Sequence, residues 1–159
     1  MKRVLKLLEN DASLGAGQIA LLLGVGEADV ERDIAAARRE GILLGSRSVI
    51  NWEKAGGDYV TAMIEVRVTP QRGEGFDRVA ERIYQFDEVE SLYLMSGGYD
   101  LQAVVIGKSL KDVARFVAEK LSTLEQVTGT CTHFLLKKYK EGGVVYARPD
   151  DAQERVAYL

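Results

Sequence analysis

Apolar positions along the 159-residue chain repeat with two different periods, and the change from one to the other divides it. From Val4, the residues Val4, Leu5, Leu7 and Leu8 recur at helical spacing until Asn10-Asp11 interrupts them, which predicts a short amphipathic helix. Gly15, with Gln18 three residues on, has the form of a helix start, and Ile19, Ala20, Leu22 and Leu23 carry a second helix to Gly24. After the turn Gly24-Val25-Gly26, a third helix begins at Glu27 and presents Val30, Ile34 and Ala37 on one face before Gly41. Two helices around a tight glycine turn, with small Ala20 where they must approach, form a helix-turn-helix pattern. Ile42 to Trp52 alternates loosely and suits a wing or a connecting strand.

Beyond the glycine-containing stretch Lys54 to Asp58 the plan repeats itself. Val60 to Thr69 reads as a strand ending at Pro70; Phe76, Val79, Ala80 and Ile83 mark a helix face, and Val89 to Met95 a second strand. Leu101 to Ile106, then Leu110, Val113, Ala114, Val117 and Leu121, then Val127 to Leu136 give strand, helix and strand again. Ser109 with Asp112 is a capping box that sets the start of the second of these helices. Two β-α-β units in series predict an α+β chain: an N-terminal winged helix-turn-helix joined to a ferredoxin-like βαββαβ domain with both helices on one face of its sheet. The expected boundaries are 1–51 for the first domain, 52–59 for a linker, 60–140 for the second domain and 141–159 for a tail or added edge strand. Leu101, Ala103, Val104, Val105 and Ile106 are apolar without alternation, so the second face of the sheet needs a cover. A second copy of the same sheet is the simplest cover, which predicts a homodimer.

Composition narrows the chemistry. No apolar run reaches the roughly 20 residues of a membrane span, and the basic start Met1-Lys2-Arg3 leads into an amphipathic segment, so neither a membrane anchor nor a signal peptide is expected and the location is read as cytoplasmic. The single cysteine, Cys131, has only His133 beside it, which leaves no cluster with metal-ligand spacing; both are read as structural, with no metal and no cofactor. No nucleophile-base set, carboxylate pair or phosphate loop is visible, so no catalytic residue is assigned. The net charge of −3 excludes a strongly basic nucleic-acid coat but not a small DNA-binding domain within an acidic chain.

The break Ser96-Gly97-Gly98-Tyr99-Asp100 lies between two strands as a hairpin bend. Paired glycines let another molecule approach closely, and Tyr99 and Asp100 put a ring and a carboxylate there. A small-molecule site fits this bend, and so does a tight turn whose Asp100 bonds its own backbone.

Taken in order, Leu7-Leu8-Glu9-Asn10-Asp11-Ala12, Gln18-Ile19-Ala20, Leu23-Gly24-Val25, Glu40-Gly41-Ile42-Leu43, Ser96-Gly97-Gly98-Tyr99-Asp100-Leu101, and Val127 with Thr130 and Thr132 resemble the Lrp/AsnC family of bacterial and archaeal transcription regulators, also called feast/famine regulators. The resemblance covers nearly the whole chain. It implies a non-enzymatic regulator that binds double-stranded DNA and whose C-terminal domain dimerises, assembles in many members into octamers, and frequently binds an amino acid between subunits. Gly98 and Asp100 match the family's Gly-x-Asp effector loop, which brings Tyr99 with it, and Thr130 and Thr132 match strand positions near the ligand in some members. A carboxylate can hold an ammonium, and amides and hydroxyls can hold a carboxylate, so an amino-acid effector is chemically reasonable.

One departure bears on DNA. The family usually has a basic residue just before the apolar residue of the third helix, where this chain has Asp33, and Glu27, Asp29 and Glu31 make the start of that helix acidic. Such acids stabilise a helix N-terminus and repel phosphate. DNA contact then falls to Arg32, Arg38, Arg39 and Arg47, with Lys2, Arg3 and Lys6 as outlying phosphate contacts. The alternative is an oligomeric metabolite-binding module that has lost direct DNA binding and acts through a protein partner. A third possibility, tetrapyrrole chemistry as in the sirohaem decarboxylases built on this architecture, finds only His133 for its histidines.

Overall fold

The computed structural model describes residues 1–69 and 75–147, which form two compact units, Met1–Ile50 and the chain from Asn51 on. Pro70, the expected end of the first strand, and positions 148–159 of the expected tail lie outside the described residues.

The first unit has three helices: α1 (Lys2–Asn10), α2 (Ala16–Leu23) and α3 (Glu27–Arg39). Asp11 ends α1 in extended backbone, and its carboxylate accepts from the Ser13 N–H at 2.9 Å. At the start of α2 the Gln18 side chain reaches back to accept the Gly15 N–H at 2.9 Å, as the spacing predicts. Gly24 closes α2 at φ 66°, a left-handed conformation that glycine adopts without a Cβ clash. Val4, Ile19, Ala20 and Val30 form the buried core of this unit, with Leu7, Leu8, Leu14, Leu23 and Ile34 packed around them.

The expected wing is not formed. Residues 42–50 contain no strand, and Leu44 and Val49 stand exposed. The loose alternation has no second strand to pair with, and an isolated strand cannot satisfy its backbone.

The second unit holds a four-stranded antiparallel sheet of β1 (Val60–Val68), β2 (Val89–Leu94), β3 (Leu101–Gly107) and β4 (Val127–Phe134), in the order β2-β3-β1-β4. Helices α4 (Asp77–Tyr84) and α5 (Leu110–Phe116) make the crossovers, giving the ferredoxin-like plan. Ser109 caps α5 by accepting the Asp112 N–H at 3.2 Å, and α5 runs on into a π-helical turn, Val117–Leu121, in which the Ser122 N–H donates to the Val117 carbonyl. Ala62, Ile64, Val66, Leu101, Ala103 and Val105 are buried on the sheet face that meets Val79, Ile83, Val113, Phe116 and Leu121.

The opposite face is mixed, which corrects the expectation of uninterrupted apolar strands. Burial alternates along β1 and β3, and the outward positions are Met63, Glu65 and Arg67 on β1 and Gln102, Val104 and Ile106 on β3, with Tyr93, Cys131 and His133 on the flanking strands. Val104 and Ile106 are only half-buried because no element of the described chain lies over them. After β4, β5 (Lys140–Glu141) and β6 (Val144–Val145) form a separate two-stranded hairpin turned by Gly142 and Gly143, both at positive φ, rather than an added edge strand.

Lys120 Nζ, on the π-helical turn, donates to Glu88 Oε1, and that hydrogen bond holds the Glu88 carboxyl below its usual range against the opposing effect of burial. A carboxylate with a depressed folded-state pKa contributes stability above its unfolded pKa and loses it as pH falls through the folded value. Lys120→Met should therefore make the acid-side loss of stability shallower than in the parent chain, modestly, because both groups are partly solvated. Urea midpoints followed by Trp52 fluorescence at several pH values would test this, and parallel profiles would refute it.

Candidate functional site

The bend between β2 and β3 is built by backbone bonds and one carboxylate. Leu94 pairs with Leu101, and the Met95 N–H donates to the Asp100 carbonyl at 2.8 Å, closing the loop. The Asp100 N–H donates to the Val66 carbonyl at 3.2 Å. Its side chain does not serve its own loop: Asp100 Oδ2 accepts the Val68 N–H at 2.8 Å. Val68 lies past the last β1–β3 pair, Val66 with Leu101, and beside an irregularity in the β1–β4 register, so its N–H meets the carboxylate instead of a strand. The next N–H, of Thr69, donates to the Gln126 carbonyl. Tyr99 Oη donates to Gln102 Oε1 at 3.3 Å, which leans the ring along β3.

Neither Gly97 nor Gly98 has a positive φ, and a Cβ added to either would meet nothing within 4 Å. Glycine is thus not required there by the turn, and open space stands over the loop. Thr130 lies opposite Val66, and Thr132 opposite Ile64, both half-buried on the side of the sheet that carries the core. The fold brings Gly98, Tyr99, Asp100 and Thr130 to one end of the sheet and leaves Thr132 two pairs deeper. Asp100 and Thr130 flank β1 on opposite sides, about 10 Å apart at the usual strand spacing.

In the first unit, α2, the turn and α3 present a second candidate surface. The Val25 N–H donates to the Ala20 carbonyl and the Val30 N–H to the Gly26 carbonyl, which fixes the turn. The stripe Ala28, Arg32, Ala35 and Arg39, with Glu31 and Arg38 beside it, is exposed along α3, opposite buried Val30 and Ala37. Arg32 is paired with Asp29, Asp33 with the amino group of Met1, and Arg39 lies 3.9 Å from Glu40. Arg38 and Arg39 occupy the last turn of α3, while Arg47 sits in the irregular segment after it. Met1–Ile50 carries seven lysines and arginines against seven aspartates and glutamates, so its positive charge is local to these positions.

The fold also changes the reading of Cys131 and His133. Glu65, from the middle of β1, joins them: His133 Nε2 lies 3.1 Å from Glu65 Oε1, and the three possible ligand atoms are within 4.8 Å of one another. The only signal of this in the sequence is an acid in the apolar alternation of β1.

Residues 61–145 match the Lrp/AsnC ligand binding domain family. The chain is 49% identical over 149 residues to the uncharacterized HTH-type transcriptional regulator YugG of Bacillus subtilis, covering 93% of this chain and 90% of that protein. It is 32% identical over 139 residues to the HTH-type transcriptional regulator LrpA of Pyrococcus abyssi, covering 87% and 96%. Among solved structures, Escherichia coli AsnC superposes with a TM-score of 0.69 at 18% identity over 88% of this chain and 92% of that one. The feast or famine regulatory protein of Mycobacterium tuberculosis complexed with L-methionine does so with 0.72 at 19% identity, over 88% and 92%.

Proposed function

The chain belongs to the Lrp/AsnC family of transcription regulators, and from that premise we propose that it binds double-stranded DNA through α2 and α3 and senses a small amino-acid-like effector at the β2–β3 bend. The observation that carries the sensing part is the open space over Gly97 and Gly98 beside a carboxylate, in a loop whose backbone does not need glycine. Asp100 would hold an ammonium group. The amides of Gly98 and Tyr99, with the Thr130 and Thr132 hydroxyls, would hold a carboxylate. The structure of a related regulator with L-methionine supports the ligand class.

The half-buried Val104 and Ile106, with Met63 and Tyr93 near them, form the face on which a second copy would pack. The resulting homodimer, or an octamer of four such dimers, would set the spacing of the DNA-binding units. Effector binding would then act by shifting the population of assemblies. Among the described residues no helix is long and apolar enough to cross a membrane.

Arg32, Arg38, Arg39 and Arg47 are the proposed DNA contacts, with Ala28 and Ala35 small enough for the α3 backbone to approach a groove. Fluorescence anisotropy against the DNA upstream of the chain's own gene, with a scrambled control, tests this at low and moderate salt. Preferential binding that weakens with salt is expected. Arg38→Ala with Arg39→Ala should reduce the slope of log affinity against log salt by about 1 for each phosphate that is no longer neutralised. The pairing of Arg32 with Asp29 and the equal charge count of the first unit favour one other reading, action through a protein partner. No binding at low salt would select it.

A further inference from the structure

We propose that Glu65, Cys131 and His133 form a binding site for a thiophilic divalent metal ion of the zinc class on the helix-free face of the sheet. Glu65 and Cys131 are directly opposed in the β1–β4 ladder, and His133 lies two residues further along β4, so all three side chains leave the same face. Two hydrogen-bonded strands, rather than a loop, therefore set their spacing. A tetrahedral zinc ion, with Zn–N and Zn–O near 2.0–2.2 Å and Zn–S near 2.3 Å, places its N and O ligands about 3.3 Å apart and its sulfur about 3.6 Å from either. The His133–Glu65 separation is 3.1 Å, and the set as a whole fits within 4.8 Å, so the ion requires only small side-chain adjustments.

The donor set selects the metal. One nitrogen, one thiolate and one carboxylate oxygen suit zinc and neighbouring transition ions, whereas calcium and magnesium require several oxygen ligands. Thiolate and carboxylate together balance a divalent charge. Three protein ligands leave a fourth tetrahedral position on the side where, in the single protomer, a cleft of about 260 Å³ opens between Glu65, Arg67, Gly129, Thr130 and Cys131; it would go to water or to a group of the second copy proposed to pack on this face. Gly129 keeps this cleft open, since a Cβ there would meet nothing within 4 Å. Arg67, the next outward residue on β1, is the competing cation of the cleft lining.

The test is a titration of the reduced, chelator-treated full chain with cobalt(II), followed by displacement with zinc. A thiolate-to-cobalt charge-transfer band and tetrahedral d–d bands, saturating at one ion per protomer and lost on adding zinc, are expected. Cys131→Ser should abolish the charge-transfer band and weaken zinc binding at least about 100-fold, the upper end of what removing a group that merely orients a ligand does; Glu65→Gln and His133→Gln should weaken it at least about tenfold. Cys131 is the only cysteine, so the thiolate-to-cobalt band of the parent chain gives a readout that needs no variant to fold. Absence of a thiolate band, or zinc affinity unchanged in Cys131→Ser, would overturn the site and reduce the His133–Glu65 contact to a cross-strand pair. Light scattering on the same samples reports separately whether the chain is dimeric with the ion bound.

Discussion

Replacing Ile64 with alanine should destabilise the second unit by about 2–5 kcal/mol, the range for removing a fully buried isoleucine and leaving a partly collapsed cavity. Ile64 is completely buried at the centre of β1, the strand with a partner on each side, where it is opposed by Ala103 on β3 and Thr132 on β4. Two small residues, Ala62 and Ala103, lie beside it on the same buried face and offer little side chain to fill the space. Trp52 is the only tryptophan and belongs to the second unit, so its fluorescence during urea unfolding follows that unit, while far-ultraviolet dichroism follows both. A midpoint shift in the fluorescence transition is expected. An unshifted midpoint would mean that the sheet is not packed through β1 as described.

Asp100→Ala is expected to have two effects, and Asp100→Asn only one of them. The alanine variant removes the acceptor of the part-buried Val68 N–H and should cost about 1–3 kcal/mol, since the hydrogen bond is to a charged group and the donor is left without it. It should also abolish the response to an amino-acid effector. Asparagine keeps a carbonyl oxygen for Val68 and loses only the charge, so its stability should stay close to the parent while ammonium recognition is lost. Calorimetric titration with a panel of amino acids, paired with a thermal melt, separates the two roles. An asparagine variant that responds to effector as the parent does would remove Asp100 from the proposed site. An alanine variant as stable as the parent would remove its bond to β1.

Effector recognition and the metal site can be told apart because they use different groups. Asp100 is absent from the cluster of Glu65, Cys131 and His133, and none of those three is assigned to the amino acid. Cobalt titration of Asp100→Asn should match the parent chain.

Helix positions, the glycine stop at Gly24, the reach of Gln18 to Gly15, the Ser109–Asp112 cap and the twofold β-α-β plan were all legible in the sequence. Each depends on residues a few positions apart, and local periodicity and capping act over that range. The order of motifs along the chain was likewise enough to indicate the family. The contacts that define the sites are of another kind. The Asp100 carboxylate reaches Val68, 32 residues earlier, and His133 reaches Glu65, 68 residues earlier. Both contacts exist only because β3 and β4 flank β1 in a particular register, and that register follows from which faces bury together. The same reason explains the wing: alternation in 42–52 suited a wing or a connecting strand, but a strand needs a partner, and the first unit supplies none among its described residues. Burial against α4 and α5 likewise decided that β1 and β3 alternate, leaving a mixed face with Glu65, Cys131 and His133 on it. Sequence pattern determined the elements and the family; tertiary pairing decided which distant side chains meet, because cross-strand neighbours are chosen by packing and not by distance along the chain.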